Sequence, residues 1–520
     1  MQIIDNKALL FKTRNPEKFS IIPKHKIVSE DDDGNYEIAV YWGLDEVRVL
    51  RNLGVENVPS PITGRYEWPG KYKPMAHQME TAAFLTIHRK AFVFSEPGTG
   101  KTLAALWAAD YLMKLGRVRR VLILCPLSIM QAAWQGDLSN SIIHRSVVVA
   151  HHTQATRRIE MVQDDYEFVI TNYEGLNLIA NEINADGRFD LVIVDEANSY
   201  KNINTQRWKS LNAIIKPETM LWMMTGTPAA QSPLDAYGLA RLVNPTLVPK
   251  YYTAWRDKVM HKLTMYKWVP KQEATNIVHT VLQPAIRFTK AQCLDLPPVL
   301  TTTREVPLTP QQNKYYNLIK EQMLFKSSGE TISAVNAAAS VSKLLQISCG
   351  AALTDEKQVM EFDSAPRLHV LEEILNETDR KVIVFALFRS TIDTILGHME
   401  KKGIKAECIH GDVPPSKRAD IIRRFQHENE TQILVMQPQA TAHGITLTAA
   451  DTVVFYGPLM SVDQYIQCIA RADRKGQDSK SVTVVHIQGS PIERKMFKAL
   501  ESRVSDHSLL TQMFDQEIKS

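Results

Sequence analysis

Ten short apolar runs constrain this chain more than any other feature. They fall in two sets: AFVF (91–94), VLIL (121–124), FVI (168–170), LVIV (191–194) and MLWMM (220–224), then VIVF (382–385), AECI (406–409), QILVM (432–436), TVVFY (452–456) and SVTVVHI (481–487). Strands apolar on both faces and separated by helical periodicity are what a parallel sheet covered on both sides requires. The expected fold class is therefore α/β, with two such sheets in tandem. Between them, residues 246–350 carry aromatic and basic residues, the proline break LDLPPV (294–299) and helical periodicity, which predicts a helical protrusion and linker. Residues 1–70 stand apart, with the acidic turn SEDDDGN, the alternating YEIAVYW and a helix at LDEVRVLRNLG, and predict a small β-rich accessory domain. The expected domains are thus 1–70, 71–245, 246–350 and 351–520.

The first run leads into SEPGTGKT (95–102) and a helix, KTLAALWAADYLMKLG, with an apolar stripe at Leu103, Leu106, Tyr111 and Leu115. Strand, glycine turn and helix N-terminus bring backbone N–H groups and the helix dipole together on phosphates. The stretch opens on Ser95 where the pattern G-x-x-x-x-G-K-[ST] has glycine, so the strand–turn–helix context carries the assignment. Glu96, Pro97, Gly98, Thr99 and Gly100 would wrap the phosphates, Lys101 would neutralise the β/γ oxygens and Thr102 would ligate Mg²⁺. FDLVIVDEANSYKN (189–202) delivers two acids at the end of a strand: Asp195 suits a metal's water shell and Glu196 the attacking water. An acidic pair at this place also suits an ordinary helix start. QCIARADRKGQ (467–477) spaces Gln467, Arg471 and Arg474 four and three residues apart, one face of a helix, with two guanidinium groups to meet phosphoryl charge.

Charge and cysteines narrow the partners. Lys+Arg 61 against Asp+Glu 57 leave a net +4 over 520 residues, so a nucleic acid has to be held by local patches. PKYYTAWRDKVMHKLTMYKWVPK (249–271) is one, with Lys258, Lys262 and Lys267 among aromatics; a DNA-contacting protrusion and an amphipathic packing element both fit it. Cys125, Cys293, Cys349, Cys408 and Cys468 are widely separated, without zinc spacing or a disulfide framework. No run reaches the ~18 apolar residues of a membrane span, and the first residues carry charge where a signal peptide needs an apolar core. The expectation is no zinc, no membrane partner and a cytoplasmic location.

As an ordered set these stretches resemble superfamily-2 helicases and translocases, in particular the SWI/SNF-like, chromatin-remodeller-type branch in its compact bacterial or phage form. KPMAHQMETAAFL (73–85) resembles the adenine-recognition segment, with His77 and Gln78, and SEPGTGKT resembles motif I. LILCPLSIMQAAW (122–134), VITNYEGL (169–176) and VDEANSYKN (194–202) resemble motifs Ia, Ib and II. MMTGTPAAQSPLDAYGLARLVNP (223–245) resembles motif III, with Thr225, Gly226 and Thr227 as coupling residues. RFTKAQCLDLPPVLTTTREVPLTPQQNKYY (287–316) resembles the branch's interlobe run, and KVIVFALF (381–388), HGITLTAADTVVFYG (443–457) and QCIARADRKGQ resemble motifs IV, V and VI. The resemblance implies two tandem RecA-like P-loop lobes that use ATP and Mg²⁺. It adds Gly444 and Asp451 as nucleotide contacts, and Ser128, Thr171, Tyr173 and Thr448 as contacts to a nucleic-acid backbone. Asn198 stands where motif II more often has histidine, which implies altered coupling to motif III through an amide that still donates and accepts. Thr441 and Ala442 stand where motif V often has glycines.

Three functions are compatible with this reading. The leading one is an ATP-dependent double-stranded-DNA translocase that remodels forks or branches, anneals strands or displaces proteins. Its partners would be DNA and replication or recombination proteins, in a bacterial or phage-infected cytoplasm. The second is a strand-separating DNA or RNA helicase, and the third an ATP-switched motor subunit of a restriction or defence complex. Residues 1–70 fit either a fork-recognition module or a packing domain.

Overall fold

The computed structural model describes residues 1–229, 232–264, 268–293, 296–327, 334–353, 358–440, 445–474, 476–502 and 504. Gly444, with Thr441 and Ala442, and Lys267 lie outside these residues. The chain divides into two compact units, Met1–Cys293 and Leu294–Leu509.

In the first unit, β1 (Gln2–Ile4), β2 (Ala8–Thr13), β3 (His25–Glu30) and β4 (Tyr36–Tyr41) form an antiparallel sheet in the order β1-β2-β4-β3. Alternation puts Ile38 and Val40 inward, where they meet Leu9, Trp42, and Val47 and Leu50 of the helix Leu44–Asn52. The same core takes in Ile87, and Arg48 donates to the carbonyls of Thr86 (2.9 Å) and Ile87 (3.1 Å). The β-rich domain is thereby fastened to the end of the helix Ala76–Ile87, which begins with His77 and Gln78.

The large sheet of this unit comprises β5 (Lys90–Val93), β6 (Arg120–Leu124), β7 (Val147–Val149), β8 (Phe168–Thr171), β9 (Phe189–Val194), β10 (Met220–Met224) and, after a hairpin β11 (Met260–Lys262) and β12 (Trp268–Pro270), β13 (Ala285–Ile286). All its pairings are parallel, in the order β13-β5-β10-β9-β6-β8-β7. Alternate residues feed two separate cores. Phe92, Leu122, Val192 and Leu221 enter one, and Val93, Ile123, Ile193 and Trp222 the other. That is why these strands read as unbroken apolar runs. The helix Lys101–Lys114 is buried almost without a break from Ala104 to Leu112, so its packing is wider than the expected stripe, and Leu115, expected in that stripe, is its exposed C-cap (46%).

The second unit has β14 (Val299–Glu305), a short antiparallel pair β15 (Ala351–Leu353) and β16 (Val359–Glu361), then β17 (Lys381–Phe385), β18 (Ala406–Ile409), β19 (Ile433–Met436), β20 (Ala450–Phe455) and β21 (Val482–Gln488). Six of them form a parallel sheet ordered β14-β21-β20-β17-β19-β18. The stretch 246–350 is not a single helical segment. Its helices Tyr252–Val259 and Ala274–Val281 and the strand β13 belong to the first unit, whereas β14 and the helices Pro310–Ser327 and Ala334–Ser348 belong to the second. No described helix is long and apolar enough to cross a membrane.

Candidate nucleotide site

Five loops leave the C-terminal ends of β5, β10, β9, β6 and β8, neighbours in the sheet, and that edge is where open parallel sheets place their ligands. From β5 the chain turns through Phe94–Gly100 into the helix Lys101–Lys114. Gly98 and Gly100 have φ of +91° and +79°, and a Cβ on Gly100 would collide with Gln78 Nε2, so this turn requires glycine there. Gln78 donates from Nε2 to Gly100 O (3.3 Å) and accepts from Met75 N (2.9 Å), while His77 Nε2 donates to Thr99 O (2.7 Å). Both side chains are buried, so the pair expected at adenine braces the phosphate loop. Lys101 Nζ donates to the carbonyls of Ser95 (2.7 Å) and Glu96 (3.2 Å), which keeps the ammonium over the loop.

Residues far downstream in the chain close the other side of the loop. Phe94 N and Glu96 N donate to Ile286 O (2.8 Å) and Phe288 O (3.0 Å), continuing the β5–β13 pairing, and Phe288 N donates to Ser95 Oγ (3.1 Å). Glu96 accepts from Arg287 Nη2 (3.2 Å) and Lys290 N (2.9 Å). Glu96, expected to wrap phosphates, therefore has its carboxylate engaged by residues nearly two hundred positions downstream.

Asp195 follows β9 and is held from four sides. Its N donates to Leu124 O (2.8 Å) and its carbonyl accepts from Tyr173 OH (2.7 Å). Of its carboxylate oxygens, Oδ1 accepts from Glu196 N (3.0 Å) and Oδ2 from Trp134 Nε1 (3.0 Å). Burial pushes this carboxyl well above the usual range, the Glu196 charge adds to that, and Lys101 opposes it. Glu196 sits at φ 47°, ψ 53°, a left-handed conformation that costs a non-glycine residue about 1 kcal/mol or more and is found where a site over-determines its backbone. The turn Ala197–Tyr200 that it caps presents Asn198, whose Nδ2 donates to Thr227 O (2.5 Å) and Oγ1 (2.8 Å). Gly226, in the turn Thr225–Thr227 after β10, lies so close to Pro97 that a Cβ would come within 2.8 Å of its ring. The glycine turn after β5, the acidic pair and the turn Thr225–Thr227 are therefore contiguous.

The donor set fits Mg²⁺. Each Asp195 oxygen accepts one N–H and keeps acceptor capacity, and Thr102 adds a hydroxyl in the first turn of its helix. A carboxylate, a hydroxyl and substrate phosphates are the hard oxygens that this ion takes.

In the second unit the helix Val462–Ile469 carries Gln467 but ends at the C-cap Ala470, so Arg471 and Arg474 are not on its face as the spacing suggested. Long-range bonds override the periodicity. Leu447 N donates to Arg471 O (2.9 Å), Arg474 Nη1 to Ile445 O (3.4 Å), and Gln477 Nε2 to both Ala450 O and Ala472 O. Asp451, expected at the nucleotide, is the second residue of β20, and its carboxylate accepts from the hydroxyls of Thr378 and Thr452. That assigns it to anchoring the start of the strand, the end away from its C-terminal edge.

Among the groups expected on nucleic acid, Thr171 is fully buried with Oγ1 on Ala150 O (3.2 Å), and Tyr173 is buried with its hydroxyl on Asp195. Neither offers an exposed group to a phosphate. Thr448 is also buried, its hydroxyl accepting from Gln426 Nε2 (2.9 Å). Ser128 lies in the turn Leu127–Ile129. Lys258 and Lys262 are exposed, whereas the aromatics beside them are partly structural: Trp255 is fully buried, and Trp268 packs under Arg256 at 4.0 Å.

Residues 77–354, more than half of the chain, match the model of the SNF2-related domain, and residues 366–476 match the helicase conserved C-terminal domain. The chain is 24% identical over 488 residues to the mouse (Mus musculus) chromodomain-helicase-DNA-binding protein 1-like, covering 88% of this chain and 53% of that protein. It is 23% identical over 420 residues to putative protein p41 of Acyrthosiphon pisum secondary endosymbiont phage 1, covering 77% of this chain and 88% of p41. Among solved structures, the Sulfolobus solfataricus SWI2/SNF2 ATPase core in complex with dsDNA matches at 20% identity and a TM-score of 0.42, over 85% of this chain and 96% of that one. The chain thus spans about half the length of the mouse relative, and only about a quarter of the plant CHD3-type chromatin-remodeling factor PICKLE (Arabidopsis thaliana), which it also matches.

Proposed function

The chain belongs to the SNF2-related family, and from that premise we propose that it is a nucleic-acid-dependent ATPase that moves along double-stranded DNA and remodels DNA or DNA–protein complexes. The observation that carries the reading is the contact of the phosphate loop with the turn Thr225–Thr227, which in turn is hydrogen-bonded to the turn bearing Asp195 and Glu196. A nucleotide bound by Ser95–Thr102 would lie against groups that report its state to the rest of the sheet edge.

The roles follow from the chemistry. The loop N–H groups and Lys101 hold and neutralise phosphate oxygens. Bound Mg²⁺, held by Thr102 and Asp195, would offset charge on the β- and γ-phosphates. Glu196 orients the attacking water and takes its proton, and Asn198 passes the change to Thr227. Lys258 and Lys262 supply exposed positive charge beside the exposed Tyr251 and Tyr252, which suits sequence-independent contact with phosphates.

Steady-state ATPase with duplex, forked and single-stranded DNA and RNA, comparing wild type with Glu196→Gln, tests the reading. Stimulation by duplex or forked DNA that disappears in Glu196→Gln is expected. Stronger stimulation by single strands or RNA would replace the translocase with a strand-separating helicase, and no stimulation by any of them would refute nucleic-acid dependence.

A further inference from the structure

Between the turn Leu127–Ile129 and the helix Gly136–Ser141, residues Met130–Gln135 are wound as a π-helix. Such turns are rare and are found mostly at functional sites, because each inserts a residue against the α-helical register. Here the insertion aims one side chain. Trp134 is fully buried, and its indole N–H reaches Asp195 Oδ2 at 3.0 Å. Rewinding the segment to α-helical register would turn Trp134 by roughly 100° per residue of slip and remove that bond. The segment follows β6 by way of the turn Leu127–Ile129, and the last residue of β6, Leu124, accepts from Asp195 N. One stretch of chain therefore contacts both the backbone and the carboxylate of Asp195.

We propose that Trp134 is a positioning residue for Asp195, and that the π-helical register of Met130–Gln135 keeps its indole on the carboxylate that would hold the metal ion. The inference rests on the reading of the chain as an ATPase, and it names a residue that orients the carboxylate of that site. A buried indole N–H with no acceptor is costly, and a carboxylate oxygen with a fixed donor presents its remaining lone pair in one direction. Together they make the Trp134–Asp195 bond specific to one register. Tyr173, which holds the Asp195 carbonyl, fixes the backbone from the β8 side, and the carboxylate is held by Glu196 N on Oδ1 and by Trp134 on Oδ2.

The test is the affinity of the protein–ADP complex for Mn²⁺, read by electron paramagnetic resonance, together with ATPase against Mg²⁺ concentration with and without duplex DNA. Trp134→Phe is expected to weaken Mn²⁺ binding roughly 10- to 100-fold, as loss of a partner that orients a metal ligand does, with metal-free ADP affinity unchanged and the Mg²⁺ concentration for half-maximal ATPase raised in parallel. Replacing Trp134 with benzothienylalanine, which keeps the volume and lacks the N–H, is expected to give the same result and answers the case in which Trp134→Phe fails to fold. Wild-type Mn²⁺ affinity in the benzothienyl variant overturns the proposal. A wild-type protein that takes up no metal–nucleotide overturns the ATPase reading and this inference with it, whereas wild-type uptake matched by the variants overturns the inference alone.

Discussion

Replacing Asn198 with alanine asks whether the acidic pair and the Thr225–Thr227 turn act as one unit. The amide makes two donations to Thr227, at 2.5 Å to the carbonyl and 2.8 Å to the hydroxyl, and Thr227 is only 3% exposed. Each neutral hydrogen bond contributes about 0.5–1.5 kcal/mol, and a buried acceptor left unmet adds to the loss, so Asn198→Ala should cost about 1–3 kcal/mol at this contact. Spent on holding Glu196 and the coupling turn in register, that energy slows DNA-stimulated turnover by about one to two orders of magnitude. The KM for ATP should change little, because neither Asn198 nor Thr227 belongs to the phosphate loop. Thr227→Ala removes only the hydroxyl bond, so the double mutant should show a coupling energy of about 1 kcal/mol. Asn198→His restores one N–H donor and should recover part of the rate. The assay is duplex-stimulated steady-state ATPase beside thermal melting of each variant. Additive effects of the two substitutions, or a loss confined to melting temperature with kcat intact, would refute the reasoning.

Three further outcomes follow from other parts of the chain. Arg367 is buried and donates to Ser348 O, Tyr456 O, Ile487 O and the fully buried Glu493. Arg367→Met strands the Glu493 carboxylate and should cost about 3–5 kcal/mol in denaturant unfolding, and adding Glu493→Gln should return part of it; equal stability of single and double variants would sink this account. Burial lowers the pKa of His486 from 6.5 to about 4, and the Glu501 carboxylate 3.7 Å from its ring is too exposed to reverse this. Because the unfolded chain binds the proton first, the contribution of this group is complete above pH 6.5 and lost as pH falls through 4, up to about 3 kcal/mol. Thermal melts from pH 7 to 4 should therefore fall more steeply for wild type than for His486→Phe. Finally, Lys258→Glu with Lys262→Glu should lower the slope of log affinity for duplex DNA against log salt by about 2, if each lysine meets one phosphate; an unchanged slope in the folded variant removes the hairpin from the DNA-binding surface.

The strands that could be read from sequence were those buried on both faces, because burial on both faces is what makes a run unbroken. The strands that could not be read were made by pairing. β13 has only two residues and is a strand because β5 lies beside it, and the seven residues of β14, VLTTTRE, are mostly exposed and polar. The same distinction separates the site residues. Lys101 stands at a helix start and Asp195 and Glu196 at a strand end, places that local pattern determines. The face expected for Arg471 and Arg474 required the helix to continue, and it stops where Leu447 takes the Arg471 carbonyl. Trp134 is a tryptophan in apolar surroundings, which sequence reads as core, and the resemblance puts Tyr173 at a nucleic-acid backbone, whereas both rings are buried beside Asp195. The signal that each bears a second role is the polar atom that any buried ring must satisfy, and Asp195 satisfies both.

Ser95 carries this reasoning to a substitution on which sequence pattern and structure disagree. By pattern the serine is a departure, and Ser95→Gly restores the usual opening of a phosphate loop. In the structure Ser95 is 2% exposed, and its hydroxyl accepts the N–H of Phe288, the last rung by which the β13 segment closes on the loop. Glycine would leave that N–H without its acceptor, at about 1 kcal/mol, and would loosen a backbone already carrying two glycines, at a further 0.5–1 kcal/mol or about that. Ser95→Gly should therefore weaken nucleotide binding several-fold and speed hydrogen exchange at Phe288, with the rest of the sheet unaffected. If it binds nucleotide as tightly as wild type, or more tightly, the loop is governed by its own glycines, and the clasp from residues 285–290 is packing without consequence for the site.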